Sequence, residues 1–456
     1  MKRIPMVLGL AIASAIAVFA EGSTAPAPVL NTGDTAWVLT ASALVLLMTV
    51  PGLALFYGGL VRKKNLLSTI YYSLASAIIV SVLWVVVGYS LAFGTSHGGI
   101  IGGLNKAFFH GITKDSLTFT IPEFAFAMFQ LMFAIITVGL VSGAVVERMK
   151  FSAWVLFIVL WSLIVYSPLA HWVWGGGWLS GGAEGTSIIG KLFGVKGYSN
   201  ALDFAGGLVV HASSGISALV AAIVLGPRVR YGKDPIVPNS IPYTFIGAGL
   251  LWFGWFGFNA GSALGANGLA ANAFLVTNTA AAMAGLTWLA LEWVLHKKPT
   301  IVGASTGLVA GLVAITPASG FVDVTSALVI GFVVSVLCYL MIAFVKKALG
   351  YDDALDAFGV HGVGGIWGAL ATGIFANPAI GFFFDGTTPA KGAIFGNMTQ
   401  LAMQAVSVGA AVAWSIAGTL LILGIIKLVN GLRVSPAEEL YGLDLTLHGE
   451  KSNGNS

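Results

Sequence analysis

Residues 203–215 read DFAGGLVVHASSG, with an aspartate and a histidine eight residues apart inside a long apolar run. The chain is 57% hydrophobic and 9% charged over 456 residues, too few charges to cover a soluble surface of that size. Apolar stretches of about 20 residues, the length that spans a bilayer, recur along it. The reading is an all-α polytopic membrane protein. Within it, Asp203 and His211 are costly intramembrane residues of the kind that mark function.

The first 20 residues have the form of a secretory signal peptide. Lys2 and Arg3 open it, the apolar run Met6–Phe19 follows, and Val18-Phe19-Ala20 offers a cleavage site. A polar exported segment is expected over 21–35. Eleven transmembrane spans are expected at 36–58, 66–93, 122–146, 152–174, 203–226, 241–260, 268–295, 301–317, 323–345, 354–376 and 397–428. The transmembrane domain thus runs over 36–430, and 431–456 forms a polar, acidic, partly flexible tail. With the mature N-terminus outside, fifteen lysines and arginines fall on cytoplasmic segments and five on outer ones, the signal's two completing the 22. This positive-inside bias puts the tail in the cytoplasm. It also accounts for the net charge of +4 without a nucleic-acid partner. Cys338 is the single cysteine, which excludes an intrachain disulfide and a multi-cysteine metal site.

A second aspartate–histidine helix lies at residues 356–365, DAFGVHGVGG. Span 5 runs inward and span 10 outward, so five helices separate the pair. An odd separation is the signature of two five-helix halves with inverted topology, here followed by a final helix, and such repeats place binding sites near the midplane. At 1.5 Å per residue, His211 lies about 12 Å from Asp203 and His361 about 8 Å from Asp356. In a core about 30 Å thick the two imidazoles therefore approach the centre from opposite faces. Gly206, Gly207, Gly359, Gly362, Gly364 and Gly365 permit close backbone approach. Each aspartate also suits a helix start, where its carboxylate accepts backbone N–H bonds. The two histidines at matched depth favour function over a merely satisfied core.

Span 3 reads FAFAMFQLMFAIITVGL, and Phe129 and Phe133 share a face at a spacing of four. Span 4 closes on LAHWVWGGG and span 6 on LWFGWFGFNAGSA. Tryptophan, phenylalanine and serine facing a pore can hold a small cation by cation–π and hydrogen-bond contacts.

These segments, with PGLALFYGGLVRKKN, ITVGLVSGAVVERMKFSAW, LVAITPASGFV and the tail's GLDLTLHGE, resemble the Amt branch of the ammonium transporter (Amt/Mep/Rh) family, of bacterial type, nearly end to end. The resemblance implies an outer ammonium site at Phe129, Trp174 and Ser262, shaped from below by Asp203. It implies a stacked gate at Phe133 and Phe258, and a conducting pore lined by His211 and His361, with Asp356 left as a structural helix start. It also implies a homotrimer in the cell's inner membrane, with a cytoplasmic PII-type nitrogen-regulatory protein as partner. No cofactor or metal is called for.

Potassium and ammonium match in size and charge, but only ammonium can shed a proton and cross an apolar path as ammonia. Two rival readings remain. An ammonium sensor would bind the ion and signal without net flux, although no appended signalling domain is evident. A membrane electron carrier would use His211 and His361 as axial haem ligands, although the sequence offers no second redox site. An enzyme is least favoured, since there is no nucleophile–base pair, no HExxH and no phosphate loop.

Overall fold

In the computed structural model the described residues are 29–181, 187–195, 198–383 and 386–452. The signal peptide expected at 1–20 falls outside them. Ten helices are long and apolar enough to cross a membrane, and one shorter apolar helix completes eleven. They are α1 (Thr32–Leu60), α2 (Lys63–Phe93), α3 (Glu123–Val145), α4 (Phe151–Val173), α5 (Gly207–Leu225), α6 (Ile241–Gly261), α7 (Gly268–His296), α8 (Ile301–Ile315), α9 (Val324–Leu349), α10 (Phe358–Phe375) and α11 (Met398–Val429). The first begins four residues before the expected 36, because Asn31 takes the cap position and accepts from the Asp34 amide. Side-chain caps of the same type start α6, α7, α8, α9 and α11 at Ser240, Asn267, Thr300, Asp323 and Asn397. Each satisfies one of the amides that a helix start leaves free.

The packing repeats. In the first half α1 meets α3, α2 meets α3 and α4, and α3 meets α5. In the second half α6 meets α8, α7 meets α8 and α9, and α8 meets α10. With five helices per half, the second copy is inverted relative to the first. The seams between the copies are α1 against α6 and α5 against α10, while α11 stands outside the repeat and packs on α4, α5 and α10. Helices α3 and α5 are the most buried of the spans.

The α5–α10 seam is tight because of glycine. A methyl group on Gly215 would strike the backbone of Gly362 and His361, and one on Gly365 would come within 2.6 Å of the Ala212 amide nitrogen. Both helices also open with a π-helical turn, Gly207–Ala212 and Phe358–Gly362, and each turn contains the histidine.

One end of the bundle is held by a buried ionic network. Glu147, just past α3, pairs with Arg62 at 3.0 Å and Arg228 at 2.7 Å, and Arg228 also pairs with Asp352 at 2.7 Å. Burial opposes ionisation of Glu147, but Arg228 and Arg62 overcome it and hold the carboxyl down at about 2. The tail docks here and is ordered through this region, where the sequence suggested partial flexibility. Ser435 and Glu438 form a capping box for α12 (Pro436–Tyr441). The Glu439 carboxylate accepts from the Val229 amide and pairs with Arg433. Asp444, in α13 (Leu443–His448), accepts from the Leu67 and Ser68 amides at the start of α2. Polar groups on a sequence-terminal tail thus satisfy helix ends that would otherwise be bare.

Removing one partner of such a buried pair strands the others, which costs about 3–5 kcal/mol. Arg228→Met is therefore expected to lower the thermal stability of detergent-purified protein far more than an exposed Lys347→Met. Glu147 contributes stability that is complete above the ordinary glutamate range and lost as pH falls towards about 2. A thermal-melt series from pH 6 to pH 3 should show acid destabilisation that shrinks in Glu147→Gln.

Candidate functional site

The path starts at a cavity of about 200 Å³ lined by Phe126, Phe129, Gln130, Phe133, Trp174, Phe204 and Ser262, among others. Trp174 ends α4, and its indole nitrogen donates to the Asp203 carbonyl at 2.9 Å, which fixes the ring. Ser262 follows α6 and donates its hydroxyl proton to the Phe258 carbonyl at 2.9 Å. Its oxygen lone pairs remain available as acceptors. Phe129 and Phe133, one turn apart on α3, meet edge to face at 4.9 Å between centroids, and Phe133 meets Trp174 the same way at 5.9 Å.

Phe133 closes the floor of this cavity by stacking on Phe258, with centroids 4.2 Å apart and planes at 23°. His211 lies directly beyond, 6.0 Å from Phe258, and its other neighbour is Trp255, stacked at 5.4 Å. His211 Nδ1 and His361 Nδ1 are 3.3 Å apart. One ring must donate and the other accept, and where both are neutral they carry different tautomers. His211 is fully buried and His361 nearly so, and the Nε2 of His211 has no hydrogen-bond partner among the described residues. His361 also lines a second cavity, of about 280 Å³, with Tyr57, Arg228, Lys346 and Asp356 on its walls. The Phe133–Phe258 stack thus adjoins the first cavity, and the histidine pair reaches from Phe258 to the second.

The helix starts hold the histidines in place. The Asp203 carboxylate accepts from four amides, those of Gly206, Gly207, Leu208 and Val209, and so anchors the start of α5. Gly206 has φ +112°, a conformation that suits glycine. The second half departs from the sequence reading: Asp356 does not take the corresponding position. It has φ +59° and pairs with Lys346 at 2.6 Å. The carboxylate that accepts from the start of α10, at Ala357 and Phe358, belongs to Asp353. Burial raises its carboxyl to about 6, against the pull of Lys346. The spacing from Asp353 to His361 is eight, the same as from Asp203 to His211. That equality was in the sequence and would have identified the residue.

Sequence reasoning also missed Trp255 beneath His211 and a clamp from α11. Gln404 accepts from the Leu202 amide, and donates to the carbonyls of Leu202 and Ala369 at 2.8 Å and 2.9 Å. It joins the loop before Asp203 to α10. An iron held between His211 and His361 would need about 4 Å between nitrogens, twice a metal–imidazole bond of about 2 Å. The 3.3 Å between the two Nδ1 atoms is shorter than that, so no iron sits between those nitrogens.

The family model described as Ammonium Transporter Family matches residues 36–453. The chain belongs to the ammonium transporter family. The transporter is 49% identical to the ammonium transporter of Aquifex aeolicus over 443 residues, covering 96% of this chain and 97% of that one. Among solved structures, Saccharomyces cerevisiae Mep2 superposes with a TM-score of 0.79 at 37% identity, covering 89% of this chain and 88% of that one. A structure titled Sensor Amt Protein also superposes, with a TM-score of 0.79 at 33% identity over 91% of this chain and 97% of that one. The family is one of multi-pass membrane transporters rather than enzymes.

The four bonds at Asp203 make a specific expectation. Asp203→Ala leaves four buried amides short of an acceptor and should abolish transport by loss of folded protein, since even one cap is worth about 0.5–2 kcal/mol. Asp203→Asn keeps one acceptor oxygen and should fold in part. Asp353→Asn should impair folding more than Asp356→Asn. Size-exclusion yield and melting temperature compare the variants, and equal behaviour of Asp353→Asn and Asp356→Asn would remove the anchor assignment.

Proposed function

We propose that the transporter recruits ammonium at the aromatic cavity and conducts ammonia past the paired histidines. The observation that carries this is the sequence of contacts from Trp174 and Ser262, through the stacked Phe133–Phe258 pair, to two neutral imidazoles in direct contact. An unpaired ion in that passage would be without water or counter-charge, at prohibitive cost. At the cavity the cost is lower: the faces of Trp174 and Phe129 attract the cation, and Ser262 accepts one of its N–H bonds. Asp203 shapes this site from below through the carbonyl that holds Trp174. The phenylalanine gate then penalises charge and favours release of a proton to the vestibule.

Ammonia needs only hydrogen-bond partners beyond the gate. The free Nε2 of His211 supplies one, and the histidine pair passes the molecule to the second vestibule at Tyr57 and Lys346. Flux with current recording in proteoliposomes under an ammonium gradient tests the reading, and the ratio of charge to nitrogen reports whether the proton follows.

The basic-residue bias supports a cytoplasmic tail and hence a Ser262 cavity that opens outward, and the charged start and apolar run of residues 2–19 support a signal peptide cleaved on export to the inner membrane. The family resemblance supports a homotrimer and a PII-type protein binding near the docked tail. A sensor reading draws on the resemblance to the sensor Amt structure; the family and the relatives named as ammonium transporters favour transport.

Two outcomes are expected. Trp174→Leu and Ser262→Ala should raise the apparent KM by roughly threefold to thirtyfold, the range of a cation–π contact worth about 0.5–2 kcal/mol, while saturating flux stays substantial. Complete loss of flux from well-folded Trp174→Leu would argue against the recruitment role. His211→Asp or His361→Glu would place a carboxylate where a bare cation can be stabilised, lowering a desolvation cost of several kcal/mol. Those variants should pass potassium, measured as potassium-driven current in liposomes. Continued exclusion of potassium in both would shift selectivity to the phenylalanine gate.

A further inference from the structure

The wall of the aromatic cavity holds a polar group that the ammonium reading leaves unused. Gln130 follows Phe129 on α3, is 9% exposed, and lines the same cavity as Phe129, Trp174 and Ser262. Its Oε1 is buried and has no hydrogen-bond partner among the described residues. Neighbouring polar groups are engaged elsewhere: Ser180 Oγ donates to the Val173 carbonyl and accepts from the Gly176 amide, and the Trp174 indole is spent on Asp203. Phenylalanines account for much of the rest of the wall, at positions 119, 126, 129, 133 and 204.

A glutamine amide buried in apolar surroundings is expensive unless its oxygen accepts a hydrogen bond. A stack of phenylalanines would be served equally well by leucine or methionine at this position. The amide also turns freely about its last torsion, a broad two-fold rotor, so its oxygen can be offered to the cavity. No basic side chain lines the cavity to compete for it.

We propose that Gln130 is a further substrate-binding residue of this transporter, its carbonyl oxygen accepting an N–H bond from ammonium alongside the Ser262 hydroxyl. The proposal rests on the reading of the cavity as the recruitment site. Ammonium carries four N–H donors in a tetrahedron. The aromatic faces attract the charge from some directions and Ser262 takes one donor, so an amide oxygen on α3 adds a second directed acceptor from another wall. Methylammonium has only three N–H donors and a methyl group that cannot bond to either oxygen. An acceptor on each of two walls therefore favours ammonium over its methylated analogue, and Gln130 contributes to that preference as well as to affinity.

The experiment measures ammonium and methylammonium uptake in proteoliposomes holding the full-length wild type, Gln130→Met, Gln130→Glu and, as reference, Ser262→Ala. Gln130→Met keeps the length of the side chain and removes the acceptor. It should raise the apparent KM for ammonium by about threefold to tenfold, the worth of one hydrogen bond, with Vmax retained and a smaller change for methylammonium. Gln130→Glu keeps an acceptor and adds negative charge, so its KM at pH 8 should equal or fall below that of wild type. A merely structural glutamine would give the opposite for Glu, a loss of Vmax or protein. If Gln130→Met does not reach the membrane, Gln130→Glu decides alone: a KM above wild type at pH 8 overturns the proposal. A shift for Ser262→Ala with none for Gln130→Met overturns it while leaving the recruitment reading intact. No shift for either variant overturns the recruitment reading itself.

Discussion

Two helices can bring their histidines together across the centre of this protein only because their backbones touch. Gly215 of α5 lies against Gly362 and His361 of α10, and Gly365 of α10 lies against Ala212 of α5, with no space for a methyl group at either place. Without that contact the imidazoles could not stand 3.3 Å apart. The membrane gives such helices no hydrophobic drive to associate, so small residues and close packing must supply the adhesion. The inverted repeat follows from the same contact. Two copies of one unit, each with a glycine-rich helix, meet most closely where like helices cross on the axis that relates them.

The copies share a plan but not a chemistry. Each starts its histidine-bearing helix on an aspartate eight residues before the histidine, and each uses a π-helical turn to carry the imidazole. Around Asp203 the surroundings are aromatic, whereas around Asp353 they are charged, with Lys346, Asp356, Arg228 and Asp352 within one cluster of contacts. The proposed function needs this difference, because a cation must be gathered on one side and only a neutral molecule received on the other. Helix α11 breaks the symmetry further. Its Gln404 bonds the Asp203 loop and α10 together, tying the two halves from outside the repeat.

Hydrophobic run length and charge placement carried most of the fold, because in a bilayer every backbone group must be satisfied within its own helix. The eleven spans follow from that, and the inverted halves from the odd separation of the two aspartate–histidine helices. What the sequence concealed was long-range. Glu147, Arg228 and Asp352 lie in three separate segments, and nothing in any one of them says that the others are its partners. Asp356 looked like the second helix start because it is the acidic residue nearest the histidine, but the choice between Asp352, Asp353 and Asp356 depends on how the chain turns before α10. There Asp356 adopts positive φ and swings its carboxylate to Lys346. The aromatic residues were legible by their spacing and by resemblance; their stacking order was not, since it depends on α3 and α6 facing each other.

Polar satisfaction explains why selectivity and stability can coexist in so apolar a chain. At the tail end nearly every buried charge is matched: Glu147 by two arginines, Asp352 by Arg228, Glu439 by Arg433 and the Val229 amide. These groups hold the structure and have no capacity left for a solute. Along the proposed path the reverse holds, with Gln130 Oε1 and His211 Nε2 left without partners among the described residues. A buried polar atom without a partner costs about 1–3 kcal/mol, so each is a standing expense in the empty protein. In the proposed function, a molecule with N–H donors or a lone pair would relieve that expense at those two points, which an alkali ion, offering no directed bonds, would not. On that reading, the imbalance that slightly weakens the resting protein is also what would favour ammonium over an alkali ion of similar size and charge.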